Sequence, residues 1–198
     1  TRFEERAFDA NAAKKLIDAG MLPALARVLA ARGIRSPEDL AEDWKSLADP
    51  ALLEGLDTAA TILCRARKLG QRVTIVADYD CDGATACAVA MRGLKTLGIY
   101  ADYIVPDRFK YGYGLSPEIV DLAVSQPEKP DILLTVDNGI ASIDGVKYAN
   151  ALGLTVIITD HHLAGDILPE AAAIVNPNLA GSRFPSKALA GCGVMYYL

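Results

Sequence analysis

The spacing of apolar residues changes once along this chain, near residue 71. Up to that point apolar residues recur three and four positions apart, which gives a helix one apolar face. "DANAAKKLIDAGM" (9–21) and "LPALARVLAARG" (22–33) both carry this pattern, and Gly33 suits a helix C-terminus. "SPEDL" (36–40) predicts a helix start, with Ser36 as N-cap, Pro37 in the first position and Asp39 near the positive end. "LDTAATILCRARKLG" (56–70) predicts a further helix that stops at Gly70.

From residue 72 the pattern becomes short, β-branched, unbroken apolar runs: "RVTIVAD" (72–78), "ADYIVPD" (101–107), "DILLTVD" (131–137) and "LTVIITD" (154–160). Helix-length segments lie between or beside them, at 83–97, 117–125 (opened by Ser116 and Pro117) and 141–151. A strand without polar alternation is one buried on both faces, and strands alternating with helices are joined by parallel crossovers. The expected fold is therefore α/β: a mostly parallel β-sheet flanked by helices (71–198), preceded by a helical N-terminal segment (1–70).

Composition leaves this picture in place. Apolar residues make up 52% and charged residues 23% of 198 residues, enough for a sizeable core. No apolar run reaches the length of a membrane span and no signal peptide opens the chain, so a cytoplasmic protein without a membrane partner is expected. Cys64, Cys81, Cys87 and Cys192 form no CxxC pair, which argues against a zinc knuckle or disulfide framework. Net charge is −5, so the whole surface offers no footprint for nucleic acid. A polyanion would need a local basic patch or bound metal.

The acids supply the chemistry. Each apolar run ends in aspartate, at Asp78, Asp107, Asp137 and Asp160, and the carboxyl edge of a parallel sheet is where ligands bind. "DYDCDG" (78–83) adds Asp80 and Asp82, and the only two histidines, His161 and His162, are adjacent in "TDHHLAG" (159–165). One such acid would be a turn former; this crowding points to metal. Imidazole with carboxylate suits manganese, iron or zinc, and a carboxylate-rich set favours manganese or magnesium. A calcium loop is excluded because Val89 stands where its twelfth-position Glu is required, and because a strand enters the motif. An aspartyl-phosphate phosphatase fits poorly, since Asp82 and Ala84 stand where it would want threonine or valine.

Two further stretches carry basic groups. In "VPDRFKYGYGLSPE" (105–118), Arg108 and Lys110 alternate with Phe109, Tyr111 and Tyr113. Charges that track phosphates and rings that stack bases suit single-stranded nucleic acid, although a solvated loop with packed tyrosines reads the same way. In "FPSKALAGCG" (184–193), Ser186 is expected to cap a helix whose amides, with Lys187, could take an anion.

"DYDCDG", "VDNG" and "TDHH", in that order, resemble the first three motifs of the DHH phosphoesterase superfamily. "VPDRFKYGYGLSPEIV", "TDHHLAGDILPEAAAIVNPN" and "FPSKALAGCGVMYYL" resemble its family of single-strand-specific 5′→3′ DNA exonucleases of bacterial repair and recombination. The resemblance implies a phosphodiesterase with two divalent cations, Mn2+ or Mg2+. It implies metal ligation by Asp78, Asp80, Asp82, Asp137 and His161, with His162 facing the scissile phosphate and Asp160 orienting its neighbours. Arg108, Lys110, Tyr111, Asn138, Ser186 and Lys187 are the implied substrate contacts. Single-stranded DNA is the expected partner, with single-strand-binding protein and a helicase beside it. The family's fourth motif and second domain would lie beyond residue 198, so the 71–198 domain is expected to be incomplete and nearly inactive alone. Replacing Asp80, Asp82 or Asp137 by Ala is expected to stop turnover and, by relieving repulsion, not to lower stability. The alternatives are a DHH enzyme for short oligonucleotides or 3′-phosphoadenosine 5′-phosphate, and a non-catalytic replication scaffold.

Overall fold

A computed structural model describes residues 4, 6–41 and 43–198. The chain divides into two compact units, Thr1–Leu47 and Ala48–Leu198. In the first, α1 (Ala10–Asp18) and α2 (Pro23–Ala30) pack through Ala12, Ala13 and Ala30, with Phe8 alongside. The Asp9 carboxylate opens α1 by accepting from the amides of Asn11 and Ala12. The helix expected after Ser36 is a single 3-10 turn, Pro37–Leu40. None of its residues is buried, and a turn with no packed face has nothing to offset the cost of extending a helix.

The second unit runs α3 (Leu56–Leu69), β1 (Arg72–Ala77), α4 (Cys81–Thr96), β2 (Tyr100–Ile104), α5 (Arg108–Tyr111), α6 (Pro117–Val124), β3 (Ile132–Val136), α7 (Ile143–Ala151), β4 (Thr155–Thr159), β5 (Ala173–Val175) and α8 (Gly191–Tyr197). The five strands described form one sheet in the order β2-β1-β3-β4-β5, every pair parallel. Period-two geometry sends neighbouring residues to opposite faces. Ile75, Leu134 and Ile157 join the cluster that holds Leu63, Ala90 and Val194 of α3, α4 and α8. Val76, Leu133 and Ile158 join the cluster that holds Ile119 and Val146 of α6 and α7. Helices thus cover both faces, as the unbroken apolar runs require. Helix α3 buries Leu56, Ala59, Leu63 and Ala66 within this unit, so the compact division falls before it rather than at residue 70.

Two strands differ from expectation. Edge strand β2 is only half-buried and stops at Ile104, ahead of Pro106. Strand β5 is three residues long, too short to stand out by pattern. The consequence for function lies in the order: β1 has β2 on one side and β3 on the other, so the chain reverses direction across the sheet between β1 and β3. The loops leaving those two strands part there and open a crevice at their carboxyl ends.

Candidate metal centre

Asp78 follows β1 and Asp137 follows β3, one on each side of that crevice, and Asp160 follows β4. Asp107 is not part of this edge. Because β2 ends early, its carboxylate caps α5, accepting from the Phe109 amide at 2.9 Å. The three acids of "DYDCDG" also diverge. Asp78 accepts from the Tyr79 amide at 2.8 Å, and Asp80 caps α4 by accepting from Gly83 N at 2.9 Å. Gly83 is required here, since a Cβ would stand 2.4 Å from the Asp78 carbonyl oxygen. Asp82 reaches across to α8, where its two oxygens accept from Gly191 N at 2.7 Å and Cys192 N at 2.8 Å. Burial alone would raise the Asp82 pKa, but those two amides hold it below the usual value.

Asp137 is the most constrained of the acids. It is 1% exposed and, among the described residues, the one non-glycine residue at positive φ (62°). Its Oδ1 accepts no hydrogen bond from any described residue, although His161 Nε2 lies 3.0 Å away. A Cβ on Gly191 would come within 2.4 Å of the same oxygen, so the glycine leaves room for the carboxylate alone. Burial, and then the charges of Asp82 and Asp80, push its pKa up to about 7. Beside it Asn138 is buried and donates to the carbonyls of Val76 at 3.0 Å and Val136 at 2.9 Å. It ties the ends of β1 and β3 together at the reversal point.

The histidines are set from behind. Asp160 Oδ1 accepts from the amides of His161 (2.7 Å) and His162 (3.1 Å) and from His162 Nδ1 (2.7 Å), and Oδ2 accepts from Ile140 N (2.9 Å). A carboxylate only accepts, so Nδ1 carries the proton and Nε2 is left for other work. Burial would lower the His162 pKa; the bond to Asp160 and its charge outweigh this and raise it. Asn176 and Asn178 hold the carbonyls of His162 and His161. Tyr113 donates to the Asp137 carbonyl at 3.2 Å, lies 3.4 Å from His162 Nδ1 and meets that ring edge-on. Asn176 and Asn178 were not among the expected site residues, and Tyr113 was expected only as a ring that could stack bases; all three lie in the stretches that carry the resemblance, but only contacts reveal these roles.

Two donor sets emerge, Asp78–Asp80–Asp137 and Asp137–His161–His162, each with ligand atoms within 4.8 Å of one another. Asp137 belongs to both. Carboxylate and imidazole donors suit a hard or borderline divalent cation, and the unbonded Asp137 Oδ1 is a buried acceptor that such an ion would satisfy. The residues present fit metal.

Residues 72–198 match the DHH family, N-terminal domain. The chain belongs to the DHH family. It is 48% identical over 183 residues to the single-stranded-DNA-specific exonuclease RecJ of Salmonella typhimurium, covering 92% of this chain and 31% of that protein. It is 31% identical, with a TM-score of 0.70, to RecJ in complex with Mn2+ from Thermus thermophilus, over 94% of this chain and 26% of that one. A crystal structure of exonuclease RecJ bound to manganese gives 34% identity and a TM-score of 0.68 over 76% of this chain and 38% of that one. The chain thus spans about a third of the length of the curated relatives it matches.

Of the expected ligands, Asp78, Asp80, Asp137 and His161 fall in the two donor sets and Asp82 does not, its oxygens being taken by the α8 amides; the expected substrate contacts also divide. Arg108 reaches the centre: its guanidinium stacks 3.7 Å from the Tyr79 ring centroid and lies 3.6 Å from Asp78 Oδ1. Lys110 is exposed over the Tyr111 ring, and Phe109 is 97% exposed. Tyr111 itself packs against the apolar cluster under α6, which makes it an anchor for the loop rather than a displayed ring. Asn138 is buried with its amide spent on backbone. Lys187 Nζ donates to the carbonyls of Pro177 (2.6 Å) and Ser182 (2.9 Å), so it staples its own loop and is not a free cation. Ser186 caps none of the described helices: α8 starts only at Gly191, and the anion at its amides is Asp82. Among the described residues no helix is long and apolar enough to cross a membrane.

Proposed function

We propose that this chain forms the catalytic core of a metal-dependent phosphodiesterase that degrades single-stranded DNA from its 5′ end to mononucleotides. The observation that carries it is Asp137, shared by two donor sets beside a histidine that Asp160 holds in one tautomer. Asp78, Asp80, Asp137 and His161 would hold two divalent cations, Mn2+ or Mg2+, with Asp82 3.6 Å from His161 Nε2 closing the cluster against α8. Bound there, such ions supply a water of lowered pKa and neutralise charge on the phosphate. The protein's own groups do the rest. His162 then serves as an acid and not as a ligand: when protonated it would present Nε2–H to a phosphate oxygen, or to the 3′ oxygen that leaves when the P–O bond breaks. Arg108, stacked on Tyr79 beside Asp78, pairs with a phosphate once one arrives. The strand preference follows from Arg108, Phe109 and Lys110, exposed together in a surface of net charge −5. The RecJ relatives named above support the choice of single-stranded DNA over short oligonucleotides or 3′-phosphoadenosine 5′-phosphate. The intact acids and histidine pair of the three motifs oppose a non-catalytic scaffold. The same reading places the protein in the cytoplasm, with single-strand-binding protein and a helicase presenting the strand.

The experiment is release of mononucleotides from end-labelled single-stranded and duplex DNA by the intact protein, with Mn2+ or EDTA. Mn2+-dependent release from the 5′ end of single strands alone is expected. Equal cleavage of duplex, or preference for dinucleotides over long strands, would overturn the reading.

A further inference from the structure

A cavity of about 480 Å³ opens beside the metal centre, between the starts of α6 and α7. This is the size of a small-molecule pocket, about 300–1,000 Å³. His162 lines it and also belongs to the second donor set, so one residue stands at both the cavity and the cluster. Tyr113, half-exposed, and the apolar side chains of Leu115, Ile140, Ile143 and Leu163 form much of the wall. Close packing builds the wall rather than leaving a loose loop. A Cβ on Gly145 would stand 1.9 Å from the Leu115 carbonyl, one on Gly114 (φ 81°) would stand 2.8 Å from Ser142 Oγ, and that hydroxyl accepts from Leu115 N at 2.8 Å. Gly114 in the loop and Gly145 in α7 therefore let the Tyr113 loop press onto α7.

Charge selects the occupant. Asp144 and Asp160 line the cavity and no lysine or arginine does; the one basic group in the lining is His162, on the side shared with the donor sets, so a phosphate is favoured at that edge and not inside. An apolar wall with one aromatic ring suits the uncharged, flat part of a nucleotide. We propose that this cavity is a nucleobase subsite, which takes the base of a nucleotide next to the scissile phosphate while the phosphate lies at the acids and His162. Every base has a π-face, so a site built on stacking and apolar contact accepts any of the four. The proposal rests on the nuclease reading but can fail separately from it.

The test pairs a filled cavity with a missing base. Ala141 lines the cavity, is exposed and has no positive φ, so Ala141→Trp fills it without disturbing the core. Single-stranded substrates carry a tetrahydrofuran abasic residue at the terminal or the second nucleotide. In the natural protein one of these should cut kcat/KM about tenfold, the scale of a lost base–aromatic stack. Ala141→Trp should cut activity on ordinary DNA to the same level and leave that abasic substrate unaffected. Saturation-transfer NMR with dAMP and with deoxyribose 5-phosphate reads binding without turnover. Base protons should receive saturation in the natural protein and lose it in Ala141→Trp. Mn2+-dependent cleavage indifferent to both abasic positions, or base saturation unchanged by Ala141→Trp, would overturn the subsite alone. Base saturation that Ala141→Trp removes, in a protein that cleaves no DNA, would sink the nuclease reading and keep the subsite.

Discussion

Asp137→Asn should stabilise the metal-free protein, an unusual outcome for a buried residue. The side chains are isosteric, and Asn tolerates the left-handed backbone at φ 62° that residue 137 adopts. What changes is charge. The Asp137 pKa stands at about 7 against an ordinary 3.8, because the carboxylate is buried among Asp82 and Asp80. Folding therefore favours the protonated form. With the folded value above the unfolded one, the contribution to stability is complete below about pH 4 and is lost as pH rises through 7. The gap between the two values is worth on the order of 4 kcal/mol once pH exceeds both. The Asn variant carries no such loss, so its advantage over the natural protein should be slight at pH 4 and approach that figure at pH 8. Urea unfolding in EDTA at several pH values measures it. Adding Mn2+ should reverse the order, because a cation bound only to the native state stabilises it in proportion to occupancy, and the variant lacks the shared ligand. An Asn variant no more stable than the natural protein at pH 8 in EDTA would refute the reasoning, as would equal stabilisation of both proteins by Mn2+.

Four further outcomes follow from contacts at the same site. Asp82→Asn should cost about 1.5–3 kcal/mol, because charge-assisted bonds to two α8 amides are weakened, and hydrogen exchange at Gly191 and Cys192 should quicken. Gly191→Ala should lower Mn2+ affinity in calorimetry, since its Cβ would press within 2.4 Å of Asp137 Oδ1; unchanged affinity would show that this oxygen holds no ion. Arg108→Ala should weaken binding of single strands of every sequence alike and flatten the salt dependence by about one phosphate contact in a fluorescence titration. Tyr113→Phe should lower kcat several-fold, on the scale of a hydrogen bond worth about 1 kcal/mol, by freeing the Asp137 carbonyl and the His162 ring.

The parts of this fold legible in sequence were those written locally. Unbroken runs such as "ILLTV" mark strands buried on both faces, and an aspartate immediately after such a run stands at the carboxyl edge whatever the topology. That rule served Asp78, Asp137 and Asp160 and failed at Asp107, because half-exposed β2 ended before its run did. Roles set by distant contact were not legible. Asp82 and Gly191 are 109 residues apart, and nothing local to "DYDCDG" shows that its third acid caps a helix. The expectation that losing Asp82 leaves stability unharmed therefore fails by this geometry, whereas for Asp137 burial among like charges supports it. Lys187 misled for a similar reason. Its sequence neighbours suggest an anion site, yet the carbonyls of Pro177 and Ser182 claim its ammonium.

The expense of the arrangement explains its form. A carboxylate at 1% exposure, on a left-handed backbone, with an unbonded oxygen beside two other acids, combines several destabilising features in one residue. A fold tolerates them only where the surroundings fix the residue from several sides, and strain of this kind gathers at functional sites. Here Asn138 clamps the strand ends, Tyr113 holds the Asp137 carbonyl, and Gly191 leaves space for the carboxylate alone. None of these contacts neutralises the charge. They hold it in place, so that an arriving cation meets donors already ordered and already repelling one another. The ion then removes the repulsion as it binds, and the stability lost in building the empty site returns as affinity.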